Sequence, residues 1–557
     1  MKKRLLLISI LVFVGKGISF SQAPNWAWAH STGETADDVG NSVATDASGN
    51  VFMTGYFNSH TITFGTTTLT NADTAGYSSD VFLVKYDATG NVLWAKSAGS
   101  AFSDRAFSVS TDAGGNVFMT GYFSKSIIFG TDTLINANNI AATHDIFIVK
   151  YDASGNELWA RSAGGLSQDY GVSVSTDAGG NVFMAGAFES PAITFGTTIL
   201  TTGGFYTIFI VKYDSSGNAL WAKSAGGTGI TSDGANCVST DANGNVFMTG
   251  SFGSSTITFG TITLTNGGGG TRIFIVKYDS SGSVLWAKGA GGTWGDTGRS
   301  ISTDAGGNVF MTGGFYGTSI GFGGIILTSA GGASNFIVKY DSSGSALWAK
   351  APTGTGSEIG FGVSTDASGN VFMTGVFGGS SIVFGTDTLT NAGLNYEDIF
   401  IVKYDSSGNV LWAKSAGGTN TDYGNSVSTD ASGNVFLTGY FASPAITFGT
   451  TALTNSSGSF DVFIAKLGTM TGIEEHNNFL NEINIFPNPA TGEFTIYGLQ
   501  APAELIMYNI YGREVYHKTV TRKQETCKLV NLPAGIYFVK VFYEEKYYCR
   551  KIIIEQD

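Results

Sequence analysis

The sequence predicts an all-β chain: a seven-bladed β-propeller closed by an N-terminal strand, followed by a small C-terminal β-sandwich. Three observations predict it. The composition, 78 Gly against 8 Pro with 40 Phe, 9 Trp and 13% charged residues, suits many short strands joined by tight turns. The middle of the chain repeats itself. The repeat is also divided between the two ends of the chain, as a closed ring requires and an open solenoid does not.

The segment Thr-Asp-Ala-Ser-Gly-Asn-Val-Phe-Met-Thr-Gly at Thr45 to Gly55 recurs with its aspartate at Asp46, Asp112, Asp177, Asp241, Asp304, Asp366 and Asp430, every 62 to 66 residues. A second segment, Ile-Phe-Ile-Val-Lys-Tyr-Asp in its commonest form, recurs with its lysine at 85, 150, 212, 277, 339, 403 and 466. A third, Leu-Trp-Ala-Lys or Leu-Trp-Ala-Arg, occurs only six times, at Trp94, Trp159, Trp221, Trp286, Trp348 and Trp412. The missing copy stands at the other end, in Asn25-Trp26-Ala27-Trp28-Ala29-His30. Each repeat therefore supplies strands A (Ser-Val-Ser-Thr), B (Asn-Val-Phe-Met-Thr-Gly), C (Ile-Phe-Ile-Val-Lys-Tyr) and D (Val-Leu-Trp-Ala-Lys). Asp-Ala-Ser-Gly-Asn and Asp-Ser-Ser-Gly-Asn form the A–B and C–D turns, with Gly where positive φ is needed. Between B and C, a segment carrying Phe64-Gly65 and its six counterparts reads as an extra hairpin projecting from each blade.

Lys2, Lys3 and Arg4, the apolar run Leu5 to Val14, then small and polar residues to Ser21 have the order of a secretory signal peptide. Cleavage is expected between Ser21 and Gln22, with cleavage after Ala23 as the alternative. The domains expected are a signal peptide (1–21), the propeller (24–467), a linker (468–482) and a C-terminal β-sandwich (483–557). No stretch reaches the 20 or so apolar residues of a membrane span, so none is expected in the mature chain. A net charge of −13 without a basic run after the leader argues against nucleic acid and anionic lipid as partners.

These residues resemble known families. The combination of Asp-Ala-Ser-Gly-Asn-Val, Val-Lys-Tyr-Asp and Leu-Trp-Ala-Lys resembles the bacterial seven-bladed propeller repeat of secreted proteins, from about Asn25 to Leu467. The last copy departs from it, with Ala465-Lys466-Leu467 in place of Val-Lys-Tyr-Asp. Phe486-Pro487-Asn488-Pro489, Tyr508 to Val515 around Gly512, and Leu532 to Val541 with Gly535, Tyr537 and Lys540 resemble the type A C-terminal sorting domain of the type IX secretion system. That resemblance implies export in two steps, a secreted or outer-surface location, and the secretion machinery as partner. Translocon contacts are expected around Lys540, Arg550 and Lys551.

Site candidates follow from the pattern. Four residues before the small residue of each A strand lies an acid: Asp38, Asp104, Asp169, Asp233, Asp296, Glu358 and Asp422. At the channel mouth, seven like charges would raise one another's pKa and take up a divalent cation such as calcium, or orient a ligand. The favoured reading is plainer: each acid accepts backbone hydrogen bonds in its own D–A loop. The Asp46 series lacks the distal Glu of a calcium loop and reads as turn residues. One Trp per blade, including Trp28, reads as packing between blades, whereas Trp294 occurs in a single loop and is the one aromatic singled out for a ligand. Cys237 reads as an inert packing thiol, and Cys527 and Cys549 as a pair that sequence leaves open. The five histidines share no metal or triad spacing, and no cofactor is expected beyond the divalent cation that the acids could take up. The function expected is a non-catalytic binding or adhesion propeller for a glycan or protein. The alternatives are an extracellular polysaccharide hydrolase or lyase and a structural envelope or matrix component.

Overall fold

The computed structural model describes residues 23–555 except 74–77, 139–142, 228–232, 293, 330–331, 355, 394–395, 469–483, 499–501, 510–513, 530–531 and 544–545. The expected signal peptide, the linker beyond Gly468 and Gly512 lie outside the described residues. The chain forms two compact units, Met1–Thr469 and Met470–Asp557. No helix among the described residues is long and apolar enough to cross a membrane.

In blade 1, strand A (Asp38–Thr45) pairs with B (Val51–Phe57), B with C (Asp80–Tyr86) and C with D (Val92–Ala98), all antiparallel. The same order recurs in six further four-stranded sheets of this unit. In the last, strand D is Trp26–Thr32, paired with Asp461–Leu467 in a register that runs from Ala29 opposite Ala465 to Thr32 opposite Val462. The near-continuous apolar runs of B and C follow from burial on both faces, by the blades either side.

Strand A lines the ring, and its last threonine links each blade to the previous one. Thr111 Oγ1 donates to Thr45 O at 2.8 Å, Thr176 to Thr111 O at 2.8 Å, and Thr240 to Thr176 O at 2.7 Å. Thr303, Thr365 and Thr429 continue the series at 2.7, 2.8 and 2.9 Å, and Thr45 Oγ1 closes it on Thr429 O at 3.0 Å. Such a circuit exists only if blade 7 lies beside blade 1.

A second set of links accounts for the conserved wording of the repeat. Lys150 Nζ and Trp159 Nε1 both donate to Ser215 O, in the C–D turn of the next blade, at 3.2 and 3.1 Å. Lys85 and Trp94 do the same to Ala153 O, and Lys277 and Trp286 to Ser342 O. At the closing seam, Lys466 from the end of the unit and Trp28 from its beginning meet on Ala88 O, at 2.8 and 3.4 Å. Each lysine also lies over a strand-B phenylalanine, as Lys150 does 5.1 Å from the Phe118 centroid. The turn glycine packs on the same Trp: a Cβ on Gly217, at φ 80°, would lie 2.8 Å from the Trp159 ring.

The extra hairpins do not project freely. Ile62, Phe64 and Leu69 of the first are buried, and Phe64 packs 5.1 Å from Phe82 of strand C. All seven hairpins repeat this Phe–Phe contact at 4.9–5.1 Å. Alternation on a four-residue strand buries every second side chain, so the hairpin covers the blade instead of leaving it.

The C-terminal unit is a sandwich of a three-stranded sheet (Asn484–Phe486, Glu493–Tyr497, Gln524–Lys528) and a four-stranded sheet (Glu514–Val520, Ala503–Asn509, Gly535–Tyr543, Lys546–Ile554). Phe494, Ile496, Leu505, Met507, Val539 and Ile552 fill its core. Cys527 is a buried free thiol there.

Deleting residues 24–32 is expected to expose the edge of strand Asp461–Leu467, lowering the unfolding temperature and promoting aggregation, as read by light scattering during a thermal melt. Gly217→Ala is expected to cost about 1–3 kcal/mol in chemical denaturation, from the left-handed backbone conformation with added Trp159 crowding.

Candidate functional site at the channel mouth

The seven acids do not form an open ring. Asp38, Asp104, Asp169, Asp296 and Asp422 are fully buried, and Asp233 and Glu358 nearly so. Strand A extends further upstream than expected and begins at the acid or directly after it, so the carboxylate sits inside the blade. Asp169 shows the arrangement: it accepts from Glu189 N and Ser190 N in its B–C loop, from Ser190 Oγ at 2.6 Å, and from Gly165 N in its D–A loop at 3.0 Å. Asp38, Asp233 and Asp422 repeat the Ser contact at 2.7 Å. Burial, opposed by these hydrogen bonds, raises Asp38, Asp169 and Asp422 to about 6 and Glu358 to about 7. Asp104 and Asp296 are raised by the same cause. The expected mutual repulsion of a solvent-facing ring is thus corrected: desolvation dominates, because each acid is enclosed in its own blade. Among the described residues, no group of three or more His, Cys, Asp or Glu is placed to hold a metal ion.

The other repeated residues are likewise occupied. Asp46 Oδ1 accepts from Ser48 N and Asn50 N at 2.9 Å, and its Oδ2 from Asn50 Nδ2 at 2.7 Å, tying the A–B turn. Cys237 takes the place of the serine whose hydroxyl, in Ser42, Ser108, Ser173, Ser300 and Ser426, accepts from the next blade's strand A. Trp294 is 65% exposed and makes no ring contact among the described residues.

What breaks the symmetry lies beside the buried acids. The residue after each acid, its cross-strand partner in B, the bulged residue of strand A and the residue leading into strand C differ from blade to blade. In blade 2 these are Arg105, Tyr122, Phe107 and His144; in blade 7 they are Tyr423, Tyr440, Asn425 and Phe460. They converge. The Arg105 guanidinium lies 4.1 Å from the Tyr56 centroid, Tyr122 stacks on His144 at 4.1 Å, and Tyr170 meets Tyr122 edge-on at 5.4 Å. Across the ring, Tyr423 stacks on Tyr440 at 4.9 Å, Phe361 lies 5.6 Å from Tyr423, and Arg299 covers Phe361 at 5.3 Å. Blade 4 carries Gly234 and Ser251 at the corresponding places, leaving a gap. The result is an aromatic crescent with two guanidinium groups, of which Arg299 is exposed. Burial, and secondarily Arg105, lowers His144 to about 4, so its ring is neutral at pH 7. Sequence reading missed this crescent because it followed what repeats; the signal was the non-repeating positions inside an otherwise regular strand.

A cavity off the axis also breaks the symmetry. It lies at the closing seam, lined by His30, Thr32, Phe64, Asn91, Val92 and Val462. His30 stands there where other blades carry Lys or Arg, and burial lowers its pKa.

In the C-terminal unit, Asn488 accepts from Ile553 N and donates to Lys551 O, both at 2.9 Å, pinning the Phe486–Pro489 segment to the last strand. Phe486 is 69% exposed. Tyr537 Oη donates to Pro533 O at 2.8 Å, and Lys540 lies 5.6 Å from the Tyr508 ring. These motif residues thus shape the loops and sheet of the unit.

Removing the Asp169 carboxylate by Asp169→Ala is expected to orphan several buried donors and cost about 3 kcal/mol in urea unfolding. Asn488→Ala is expected to free the exposed loop and reduce the amount of protein released by the native secreting host, measured by immunoblot of the medium.

Comparisons with known proteins bear on both units. The chain is 27% identical over 328 residues to the uncharacterized WD repeat-containing protein L264 of Acanthamoeba polyphaga mimivirus, covering 48% of this chain and 24% of that protein. It is 26% identical over 140 residues to the regulatory protein FlaEY of Caulobacter vibrioides, covering 25% of this chain and 14% of that protein. The chain therefore spans under a quarter of either relative's length. Among solved structures, the Pan2 WD40 domain of Neurospora crassa matches at TM-score 0.37 and 8% identity, over 80% of this chain and 98% of that one. PorZ, a surface component of the type IX secretion system of Porphyromonas gingivalis, matches at TM-score 0.20 and 12% identity, over 93% and 81%. Residues 484–555 match the family described as the secretion system C-terminal sorting domain, which marks this propeller chain as cargo that the type IX secretion system exports to the cell surface or beyond.

Proposed function

We propose that this exported propeller is a non-catalytic binding protein whose ligand is a glycan docked on the aromatic crescent at the channel mouth. The observation that carries the reading is the contrast within each blade. Repeated polar residues are consumed by turns and by links between blades, whereas the variable positions gather aromatic faces and two arginines at one mouth. Tyr and Arg combine large apolar contact with hydrogen-bonding tips, and such residues dominate binding energy where they cluster. A pyranose ring would offer its C–H face to the aromatic rings of the crescent and its hydroxyl groups to Arg299. The repeated acids do not supply a catalytic pair, because each is enclosed in its own blade and already accepts its own hydrogen bonds.

A glycan array probed with the mature protein is expected to give discrete hits. Arg299→Ala and Tyr423→Ala are each expected to weaken them about tenfold or more with an unchanged unfolding temperature. Binding that survives both substitutions, or a protein partner in place of any glycan, would overturn the site or the ligand class. Cleavage of a polysaccharide panel by the wild type would favour the hydrolase or lyase reading instead.

A further inference from the structure

One positive charge at the mouth is left unanswered by the protein. Arg299 is the bulged residue of strand A in blade 5, between Gly298 and Ser300. The other six bulged positions carry Asn41, Phe107, Val172, Asn236, Phe361 and Asn425, so Arg299 is the one charge in that ring. Where the bulged residue is asparagine, its amide donates to strand A of the next blade: Asn41 Nδ2 to Ala106 O at 2.8 Å, Asn236 Nδ2 to Gly298 O at 2.8 Å and Asn425 Nδ2 to Gly40 O at 3.0 Å. Arg299 makes no such link. Its guanidinium lies over the Phe361 ring, 5.3 Å from the centroid, and none of its N–H donors meets an acceptor among the described residues.

No carboxylate neutralises it either. Among the described residues, the salt bridges of this unit all join a strand-C lysine to the aspartate of an A–B turn. Asp296, the nearest acid upstream in the same blade, is buried and already accepts from Gly292 N at 2.6 Å and Tyr316 N at 3.3 Å. The titratable side chains that reach Arg299 are the phenols of Tyr316 and Tyr423. The side chain is open to solvent, yet desolvation lowers its pKa, as for a cation set in a concave wall without a counter-charge. Arg105 differs, since its Nε donates to Ser79 Oγ at 3.2 Å. A guanidinium stacked on a ring keeps its in-plane N–H groups free at the ring edge, the arrangement that grips a carboxylate in two places.

From Arg299 the crescent continues as a row of partly exposed rings, Phe361, Tyr423, Tyr440 and Phe460, at centroid steps of 5.6, 4.9 and 4.7 Å. Charge along that row changes sign. Asp37 accepts from Phe460 N at 3.1 Å at its far end, and Glu397 accepts at 3.1 Å from the hydroxyl of Thr421, close in sequence to Tyr423. The row therefore attracts a negative group at the Arg299 end and repels one at the other. A continuous polyanion meets both effects, whereas a glycan with one carboxylate among neutral sugars meets only the attraction. We propose that Arg299 receives the carboxylate of a uronic acid residue, so that the ligand is a glycan bearing isolated uronic acids on otherwise neutral sugars. The assignment rests on the crescent being the glycan site. Two parallel charge-assisted N–H bonds hold the carboxylate, and a neutral sugar in the same place forfeits them while keeping its contacts with the rings.

The test is a printed panel of oligosaccharides that each carry one glucuronic or galacturonic acid, set beside the same panel after reduction of every carboxyl to the alcohol, with heparin as a continuous sulfated polyanion. The mature wild type is expected to bind acidic members about tenfold more tightly than their reduced counterparts, an advantage that added NaCl diminishes. Arg299→Gln is expected to bring the two forms within about twofold of each other, and Arg299→Lys to restore part of the difference, because an ammonium attracts a carboxylate without gripping it in two places. Wild-type binding that is equal on the two panels, or confined to neutral glycans, overturns the carboxylate assignment and leaves the glycan site standing. A preference for the acidic panel that survives Arg299→Gln also overturns it, since the carboxylate then sits elsewhere. Heparin bound more tightly than any acidic member refutes the specificity for an isolated charge. Failure to bind any glycan at all overturns the crescent as a glycan site together with the assignment.

Discussion

The structure depends on one lateral interaction, the pair of hydrogen bonds that a strand-C lysine and a strand-D tryptophan send into the C–D turn of the next blade. A blade alone cannot satisfy either donor, because the accepting carbonyl belongs to its neighbour. The same turn must present a glycine face to the tryptophan, so the turn, the lysine and the tryptophan are required together. This coupling, present at six of the seven interfaces among the described residues, makes the ring cooperative in the way stacked repeats are. It also makes the join between the two ends decisive, since Lys466 and Trp28 meet on Ala88 only when the chain closes.

The regularity has a functional consequence. Residues that must repeat are committed to turns, to threonine and serine links along the inner wall, or to the buried acids that hold the D–A and B–C loops together. Positions free of those duties are few: the residue after each strand-A acid, its partner in B and the bulged residue of strand A. Arg105, Tyr170, Arg299 and Tyr423 occupy such positions, and each touches an aromatic ring of an adjoining blade.

Much of the architecture was legible because its causes are local or periodic. The alternation of apolar runs and Asp-x-x-Gly-Asn turns marks every strand, and the six copies of Leu-Trp-Ala-Lys with a seventh at Trp28 reveal the closure. The projecting hairpins were misread, since a four-residue strand carries too little pattern to show that Ile62 and Leu69 turn inward. The acid series was found in sequence, yet its place was not: strand A runs upstream to Asp38 because the pairing partner Phe57 is itself inside strand B.

The sequence by itself determined the class of fold, the number of repeats, the split seventh blade and the presence of a sorting domain, because strand periodicity, turn chemistry and end motifs are properties of short segments. Only the tertiary structure decided which polar groups are enclosed and which unlike side chains meet at the mouth. Those facts arise when residues some 25 to 385 positions apart are brought into contact by ring closure. Burial and electrostatic pairing are set by that closure, and no segment read alone contains it.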